Sequence, residues 1–454
     1  MSHLGRSRKM TVGPRLKRRE RVSITLALLT LVPFVATVVF GIGRDSALIV
    51  VIVTGLGMAA ASFELAWGTE SLQFVVSQVL ALAVLATLQV LPEYSVDAAL
   101  AYNGAFDATQ LHFATASMTG ANRLLLGAGW PLVFFVSYLA SRGENPKAGK
   151  YLQLELAQAL EVLFLGISTL YSFLIVAKGT LGILDAAVLI LIFASYVYIG
   201  ARIPPLEKER LEEMGGVALA VGRMRRGRRY GVILSLVGVG GLVTILGAQP
   251  FVGGLIEIGG ALGISQYLLI QWLAPFLTEF PETVTVLYWA ARSNRGSLAM
   301  GNLISSKLNQ WTLLVGTIPI VYNVALARFQ SIALTQLQIS ELFLTASQSI
   351  YGVVCLLDLQ LSSREALTLL ALFLVQFFIP PLRLEVSAVY LILAAVELFL
   401  TRGRIVIFRQ VGQILREYVH KRPQGRTKAW PRRNKKGLRS ESRRTSTSGT
   451  RRLS

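Results

Sequence analysis

The chain is written in long apolar blocks separated by short polar ones. Windows of about 20 mainly apolar residues, long enough for an α-helix to cross a bilayer, fall at 22–42, 47–67, 71–103, 108–140, 152–177, 180–201, 229–262, 265–293, 297–324, 338–358, 364–381 and 384–401. The pattern predicts an all-α polytopic membrane protein with about twelve transmembrane helices. Several windows are longer than one crossing, so those helices must tilt, kink or break, and Pro92, Pro131, Pro281 and Pro319 mark where. Pro380-Pro381 separates the last two windows. The first apolar run, Val22 to Phe40, lacks a small-residue cleavage pattern at its end and reads as an anchor, not a removable signal.

Composition agrees with this pattern and narrows it. Of the 454 residues, 53% are hydrophobic and 15% charged, with a mean hydropathy of +0.56. A soluble globular domain is nearer to about 25% charged, which excludes an ordinary soluble enzyme, a disordered chain and a collagen-like one. The formal charge of +20 belongs to the ends. Residues 1–21 carry +7 and residues 402–454 carry +15, leaving the 380 residues between them at −2.

Short loops on the cytoplasmic side of a membrane are enriched in Lys and Arg. With twelve crossings and both tails inside, that side receives the N-terminal cluster, Arg142, Lys147, Lys150, eight Lys/Arg in 202–229, Arg292, Arg295, Arg364 and the C-terminal tail. The other side receives Arg44, Lys178, Arg328 and Arg383. The expected organisation is therefore a basic tail (1–21), an extra helix (22–42), a first membrane half (47–201), a cytoplasmic loop (202–228) that forms a short amphipathic helix, a second half (229–381), a last helix (384–401) and a basic disordered tail (402–454). The expected location is the cell membrane, with both termini cytoplasmic. The tails fit anionic lipid head groups better than nucleic acid, since each Lys or Arg near an anionic leaflet gains about 1 kcal/mol.

A chain that divides in its middle invites a search for self-similarity. The first half reads LPEYSVDAALAY and then ATASMTGANRLLLGAGWPLV; the second reads FPETVTVLYWAA and then GNLISSKLNQWTLLVGTIPIV. Pro92-Glu93 matches Pro281-Glu282 at an offset of 189, and Pro131 matches Pro319 at 188. Corresponding windows (47–67 and 229–262) lie five crossings apart, an odd number, so the repeats run through the bilayer in opposite senses. A Pro-Glu in mid-membrane joins a helix break, which frees main-chain carbonyls, to a carboxylate that is costly unless a proton or cation accompanies it. Two such motifs facing each other offer an all-oxygen shell of the kind hard cations such as calcium take.

These segments resemble the α-repeats of the sodium/calcium exchanger superfamily of cation antiporters. The family pattern runs G-T-S-x-P-E and then, about 27 residues on, G-N-x-x-G-S-N-x-x-N or D. The second repeat here has Thr278-Glu279-Phe280-Pro281-Glu282 and then Gly301 to Gln310; the first has Gln89-Val90-Leu91-Pro92-Glu93 and then Ser117 to Asn122. The resemblance implies ten helices in two inverted five-helix repeats, with one extra helix at each end. It also implies that Glu93 and Glu282 are the central cation-binding carboxylates, Asn122 and Gln310 amide-oxygen ligands, and Thr278 and Ser306 hydroxyl ligands. The implied activity is secondary active antiport of Ca2+ against Na+ or H+, with no enzymatic step, no cofactor, and the bilayer and inorganic cations as partners. A transport-inactive membrane scaffold or sensor, and a transporter of another cation such as K+ or Mn2+, are the alternatives.

Departures from the pattern bear on coupling. The family's Thr-Ser pair is Gln89-Val90 in one repeat and Thr278-Glu279 in the other, and the Asn of G-S-N is Thr119 in one and Lys307 in the other. An ammonium in a cation site can stand where a monovalent ion would sit, bonded to a carboxylate, with Glu279 and Glu282 the expected partners. Lys307 thus reads as a sodium surrogate, as a counter-charge to Glu279, or as a loss of transport; the first two are compatible and preferred. Asp97, one turn after Glu93, is a further ligand, a proton relay or a structural partner. Glu64 and Glu257 lie at matched positions and either line an ion path or are solvated at helix ends. Glu155, Glu161, Asp185, Glu341 and Glu397 read as structural. Cys355 reads as a small buried hydrophobe; three histidines and one cysteine cannot make a His/Cys metal cluster, and no phosphate-binding glycine loop is present.

Overall fold

The computed structural model describes residues 18–72, 90–144, 151–155, 158–200, 202, 216–291, 295–401 and 405–416. Its first helices are α1 (Arg18–Val38), α2 (Ala47–Leu72), α3 (Leu91–Gly104), α4 (Ala108–Leu124), α5 (Trp130–Glu144), α6 (Gln158–Lys178) and α7 (Ile183–Gly200). After them come α8 (Gly216–Gly222), α9 (Arg226–Leu262), α10 (Ala274–Ala290), α11 (Gly296–Asn309), α12 (Val315–Leu326), α13 (Gln336–Cys355), α14 (Ser363–Phe378), α15 (Arg383–Thr401) and α16 (Ile407–Ile414). Every apolar window of the sequence is occupied by a helix. Among the described residues, six stretches have both the length and the hydropathy to cross a membrane unaided: Ala47–Gly68, Ala108–Arg142, Gln158–Lys178, Ile183–Gly200, Arg226–Leu262 and Pro380–Thr401. The helices in the other windows are shorter or more polar; among them, α3, α10 and α11 hold Glu93, Asp97, Glu279 and the buried Lys307.

Expectations about helix breaks are met in part. Pro92 stands in the first turn of α3, where its missing N–H costs nothing. The window 71–103 cannot be followed through, because 73–89 lie outside the described residues. Pro281 breaks nothing: α10 runs through it without interruption. The irregular backbone lies instead in three π-turns, Leu125–Gly129 between α4 and α5, Leu269–Leu273 ahead of α10, and Gln310–Leu314 between α11 and α12. A π-turn inserts one residue into a helix and re-aims the side chains on either side of it. In the two α4/α5 and α11/α12 units, each followed in its next helix by Pro131 or Pro319, the turns occupy nearly matched places of the two repeats.

Two short ladders check the topology from within. Strand β1 (Tyr151–Gln153) pairs antiparallel with β4 (Gln360–Ser362), and β2 (Thr180–Leu181) with β3 (Ile332–Ala333). Paired strands must lie on the same side of a bilayer. The twelve crossings expected from the sequence would place six helical spans between β1 and β4 and four between β2 and β3, both even, as that pairing requires. Beside the second ladder, Asp185 is held by Lys178, by the Tyr171 hydroxyl at 2.7 Å and by the Gly182 N–H at 2.7 Å.

The tail expected to be disordered from residue 402 begins with structure. In α16, Ile407 and Val411 are buried, and Val406 N–H donates to the Leu357 carbonyl at 3.1 Å; alternation of apolar and polar residues at helical spacing there gives it one face to bury against α6. Residues 417–454 lie outside the described residues, as do 203–215 of the central loop, where only α8 is seen.

The long helices α2 and α9, which open the two repeats, pack along each other. Inside them, α4 crosses the Leu269–Leu273 π-turn so closely that a Cβ built on Gly120 would stand 1.8 Å from the Gln271 carbonyl oxygen. Gly301 meets the Gln158 side chain in the same way, at 1.9 Å, while Gln158 Nε2 donates to the Ser297 carbonyl at 2.8 Å. Gly120→Ala is therefore expected to cost about 1–3 kcal/mol through overpacking against backbone, read as a lower thermal unfolding midpoint in detergent. Gly231→Ala in α9, whose Cβ would meet nothing within 4 Å, is the control and should not lower it.

Candidate cation-binding site

Glu93 enters the protein interior in the first turn of α3. It is 5% exposed. The side chain that reaches it comes from the other repeat. Gln310, the first residue of a π-turn and fully buried, donates from Nε2 to Glu93 Oε2 at 2.8 Å and to Glu279 Oε1 at 3.0 Å. One amide thus clasps carboxylates from α3 and α10. A turn further along α10, Glu282 Oε2 accepts a hydrogen bond from the Ser306 hydroxyl at 3.1 Å. Glu279, Glu282 and Asp97 are the charged neighbours of Glu93, so four carboxyl groups share one enclosed volume.

The remaining candidates fall into place around them unevenly. Asn122, fully buried near the end of α4, donates from Nδ2 to the Met118 carbonyl of its own helix at 2.9 Å, which leaves its Oδ1 without a partner. Thr278 turns its hydroxyl onto its own helix, to the Ala274 and Pro275 carbonyls at 3.2 and 3.1 Å. Asp97 lies one turn after Glu93 and is 1% exposed; the Ser117 hydroxyl lies beside it, but neither carboxylate oxygen has a hydrogen-bond partner. Lys307 does not bond a carboxylate: its Nζ donates across the repeat boundary to the Asn122 main-chain carbonyl at 3.0 Å and sits 4.9 Å from the centre of the Trp311 ring. No described carboxylate lies within ion-pair distance of it.

The buried side-chain oxygens left without partners here are both of Asp97, Oε1 of Glu282, Oδ1 of Asn122 and Oε1 of Gln310. A native interior leaves few polar atoms unpaired, because each costs about 1–3 kcal/mol; five oxygens in one cluster are an acceptor set suited to a proton or a hard cation. Among the described residues, no three Asp, Glu, His or Cys side chains are arranged to hold a metal ion. A divalent ion here would draw on amide, hydroxyl and main-chain oxygens as well as carboxylates.

Glu64 and Glu257 do not behave as a pair. Glu64 is buried in α2, whereas Glu257 is exposed and lines a cavity of about 370 Å³ with Arg44, Gln249 and Pro250. The Arg44 side chain caps the end of α1, donating to the Thr37 and Val38 carbonyls at 3.1 and 2.5 Å.

Sequence reasoning passed over Arg123. It is 1% exposed, next to Asn122, and its guanidinium pairs with Glu341, donates to Gln376 Oε1 at 2.8 Å and to the Thr119 carbonyl at 3.2 Å, and covers the Trp272 ring at 5.0 Å. Arg383, the first residue of α15, pairs with the same Glu341. An arginine in the middle of an apolar window is itself a signal, since such a residue is kept only with a partner. Tyr94 was also missed; its hydroxyl donates to Asn309 Oδ1 at 2.6 Å.

The geometry can now be set against known proteins. The sodium/calcium exchanger protein family matches residues 46–201 and 232–380, the two halves that meet at the carboxylate cluster. The chain belongs to that family. A crystal structure of the H+/Ca2+ exchanger CAX is 36% identical, covers 88% of this chain and 99% of its own, and superposes with a TM-score of 0.82. The structure of native YfkE, 14% identical over 79% of this chain and 98% of its own, has a TM-score of 0.56 and shares the fold. No curated protein matches the chain. The chain is thus a multi-pass membrane protein of an ion-exchanger family, with each half of the family match contributing acids and amides to one buried cluster.

The Arg123–Glu341 pair tests how the cluster is braced. Glu341→Gln leaves the buried guanidinium of Arg123 and the partly exposed one of Arg383 without their counter-charge and is expected to cost about 3–5 kcal/mol, lowering the thermal midpoint in detergent. Arg123→Met in the Glu341→Gln background should cost less than the two single losses combined; additivity would show that the pair is not coupled.

Proposed function

We propose that this family member is a secondary active antiporter that moves Ca2+ out of the cytoplasm across the cell membrane in exchange for H+ or Na+. The observation that carries this reading is the set of buried unpartnered oxygens at the meeting point of the two repeats. Carboxylate, amide and hydroxyl oxygens are the hard donors that calcium takes in preference to nitrogen or sulfur. Glu93 and Glu282 supply the central charge, the Oδ1 of Asn122 and the Oε1 of Gln310 the neutral oxygens, and Ser306 and Thr278 the hydroxyls. Asp97 and Glu279 bring two further acids beside them.

Exchange follows from the cost of charge in an apolar interior. Four carboxyl groups in one enclosed volume can be ionised together only when cations accompany them. Calcium arriving at Glu93 and Glu282 displaces protons or a monovalent ion, and the return of those ions displaces calcium. Movement of the outer helices about a fixed central site would expose it to the two sides in turn, as inverted-repeat transporters do. The similarity to a protein described as an H+/Ca2+ exchanger supports calcium as the transported ion. The Lys/Arg bias of the loops supports cytoplasmic termini, with the basic tails against anionic head groups.

Calcium-45 uptake into proteoliposomes under an imposed pH or sodium gradient tests the proposal. The native chain should take up calcium against its gradient. Glu93→Gln and Glu282→Gln should each reduce the rate by about a hundredfold or more, the loss that ~2.7 kcal/mol of ion stabilisation represents. Because protons and calcium use the same oxygens, lowering the pH on the calcium side should raise the apparent KM for calcium, not lower it. No uptake by the native chain under either gradient would overturn the proposal.

A further inference from the structure

The inverted repeats place Thr119 and Lys307 at equivalent positions, 188 residues apart, and the two side chains do different things. Thr119 stays on its own helix, with its hydroxyl bonded to the Thr115 and Ala116 carbonyls at 2.8 and 3.2 Å. Lys307 leaves its helix. Fully buried, it crosses to the opposite repeat and sets its Nζ 3.0 Å from the main-chain carbonyl of Asn122, with the face of Trp311 at 4.9 Å. The charged groups that act on it are Glu279 of α10 and Arg123 of α4, and the unpartnered Oδ1 of Asn122 belongs to the same residue that receives it.

A main-chain carbonyl, an aromatic face and a carboxylate nearby are what a desolvated monovalent cation finds in a protein interior. We propose that Lys307 is a specificity residue: its Nζ takes the place beside Asn122 that a sodium ion would otherwise fill, so the exchange reaction of this protein has no sodium site. This inference rests on the antiport reading above and narrows its counter-ion to the proton. The tether enforces the exclusion by occupancy. A free ion could leave when the site opens, whereas Lys307 is bound to its own helix and returns to the same carbonyl in every cycle. Calcium can then be replaced only by something that sits on the carboxylates themselves. Shortening the side chain should open the place it fills.

Two measurements on the full chain decide this. In detergent solution, sodium-22 should show no saturable binding to the native protein, whereas Lys307→Asn should bind it saturably and release it when calcium is added. In proteoliposomes, calcium-45 uptake by the native chain should respond to a pH gradient and not to a sodium gradient at equal pH, while uptake by Lys307→Asn should rise about tenfold, or ~1.4 kcal/mol, when a sodium gradient is imposed. Lys307→Met, which keeps the length of the side chain, should stay insensitive to sodium. Saturable sodium binding by the native protein, or sodium-driven uptake by it, would overturn the inference while leaving calcium antiport intact. Absence of sodium binding by folded Lys307→Asn would overturn it as well. Loss of native uptake under both gradients overturns the antiport reading instead, and the sodium-22 result still decides the role of Lys307.

Discussion

An ionised carboxylate in the middle of an apolar protein is tolerable only when something carries the opposite charge to it or hydrogen-bonds it. This chain places four carboxyl groups, Glu93, Asp97, Glu279 and Glu282, inside one helical body, and much of the surrounding architecture manages that cost. Glu93 is set in the first turn of α3. Gln310 divides its amide between Glu93 and Glu279. Ser306 supports Glu282. None of these completes the set, and the oxygens left over are the ones that make an ion or proton welcome. The same incompleteness that would be a flaw in a structural core is what an exchanger requires, because a fully satisfied site would have no reason to bind and no reason to release.

The two repeats solve the problem differently, although the chain repeats the Pro-Glu motif almost residue for residue. Gln310 has one more methylene than Asn122 and stands at the start of a π-turn; it spans the gap to the opposite repeat. Asn122 is shorter, donates to its own helix, and leaves the corresponding reach unmade. Lys307 then enters from the side that Asn122 does not fill. Pseudo-symmetry brings the two halves face to face, and small differences in side-chain length break it at the carboxylate cluster.

A second charged network stands behind the first. Arg123 follows Asn122 directly in α4, and its ion pair with Glu341 links the carboxylate cluster to α13, while Arg383 ties the same carboxylate to α15. The guanidinium also covers Trp272, in the π-turn that leads into α10. Arg123 therefore touches the supports of both repeats at once. Helix α15, which lies beyond the end of the family match at residue 380, is fastened to the core by a buried charge as well as by apolar packing.

The sequence by itself determined the class of fold and singled out the acids that the fold brings together. Long apolar windows have no other stable arrangement in a bilayer than helices, loop charges are additive and local, and the Pro-Glu repeat is visible as a string. The inverted relation needed only the parity of the crossings, and Glu93 and Glu282 needed only the cost of an acid in an apolar run. The partners were decided by tertiary structure. That α10 runs unbroken through Pro281 could not be read from the proline itself. Whether Lys307 met Glu279, Glu282 or a main-chain carbonyl depended on how α4 and α11 approach each other. Arg123, Glu341 and Arg383 are far apart in the chain, so no spacing could announce that they share a bond. Helix periodicity and membrane span are properties of adjacent residues and survive in one dimension; which oxygens are left without a partner is a property of the closed interior, and exists only once the chain has folded around it.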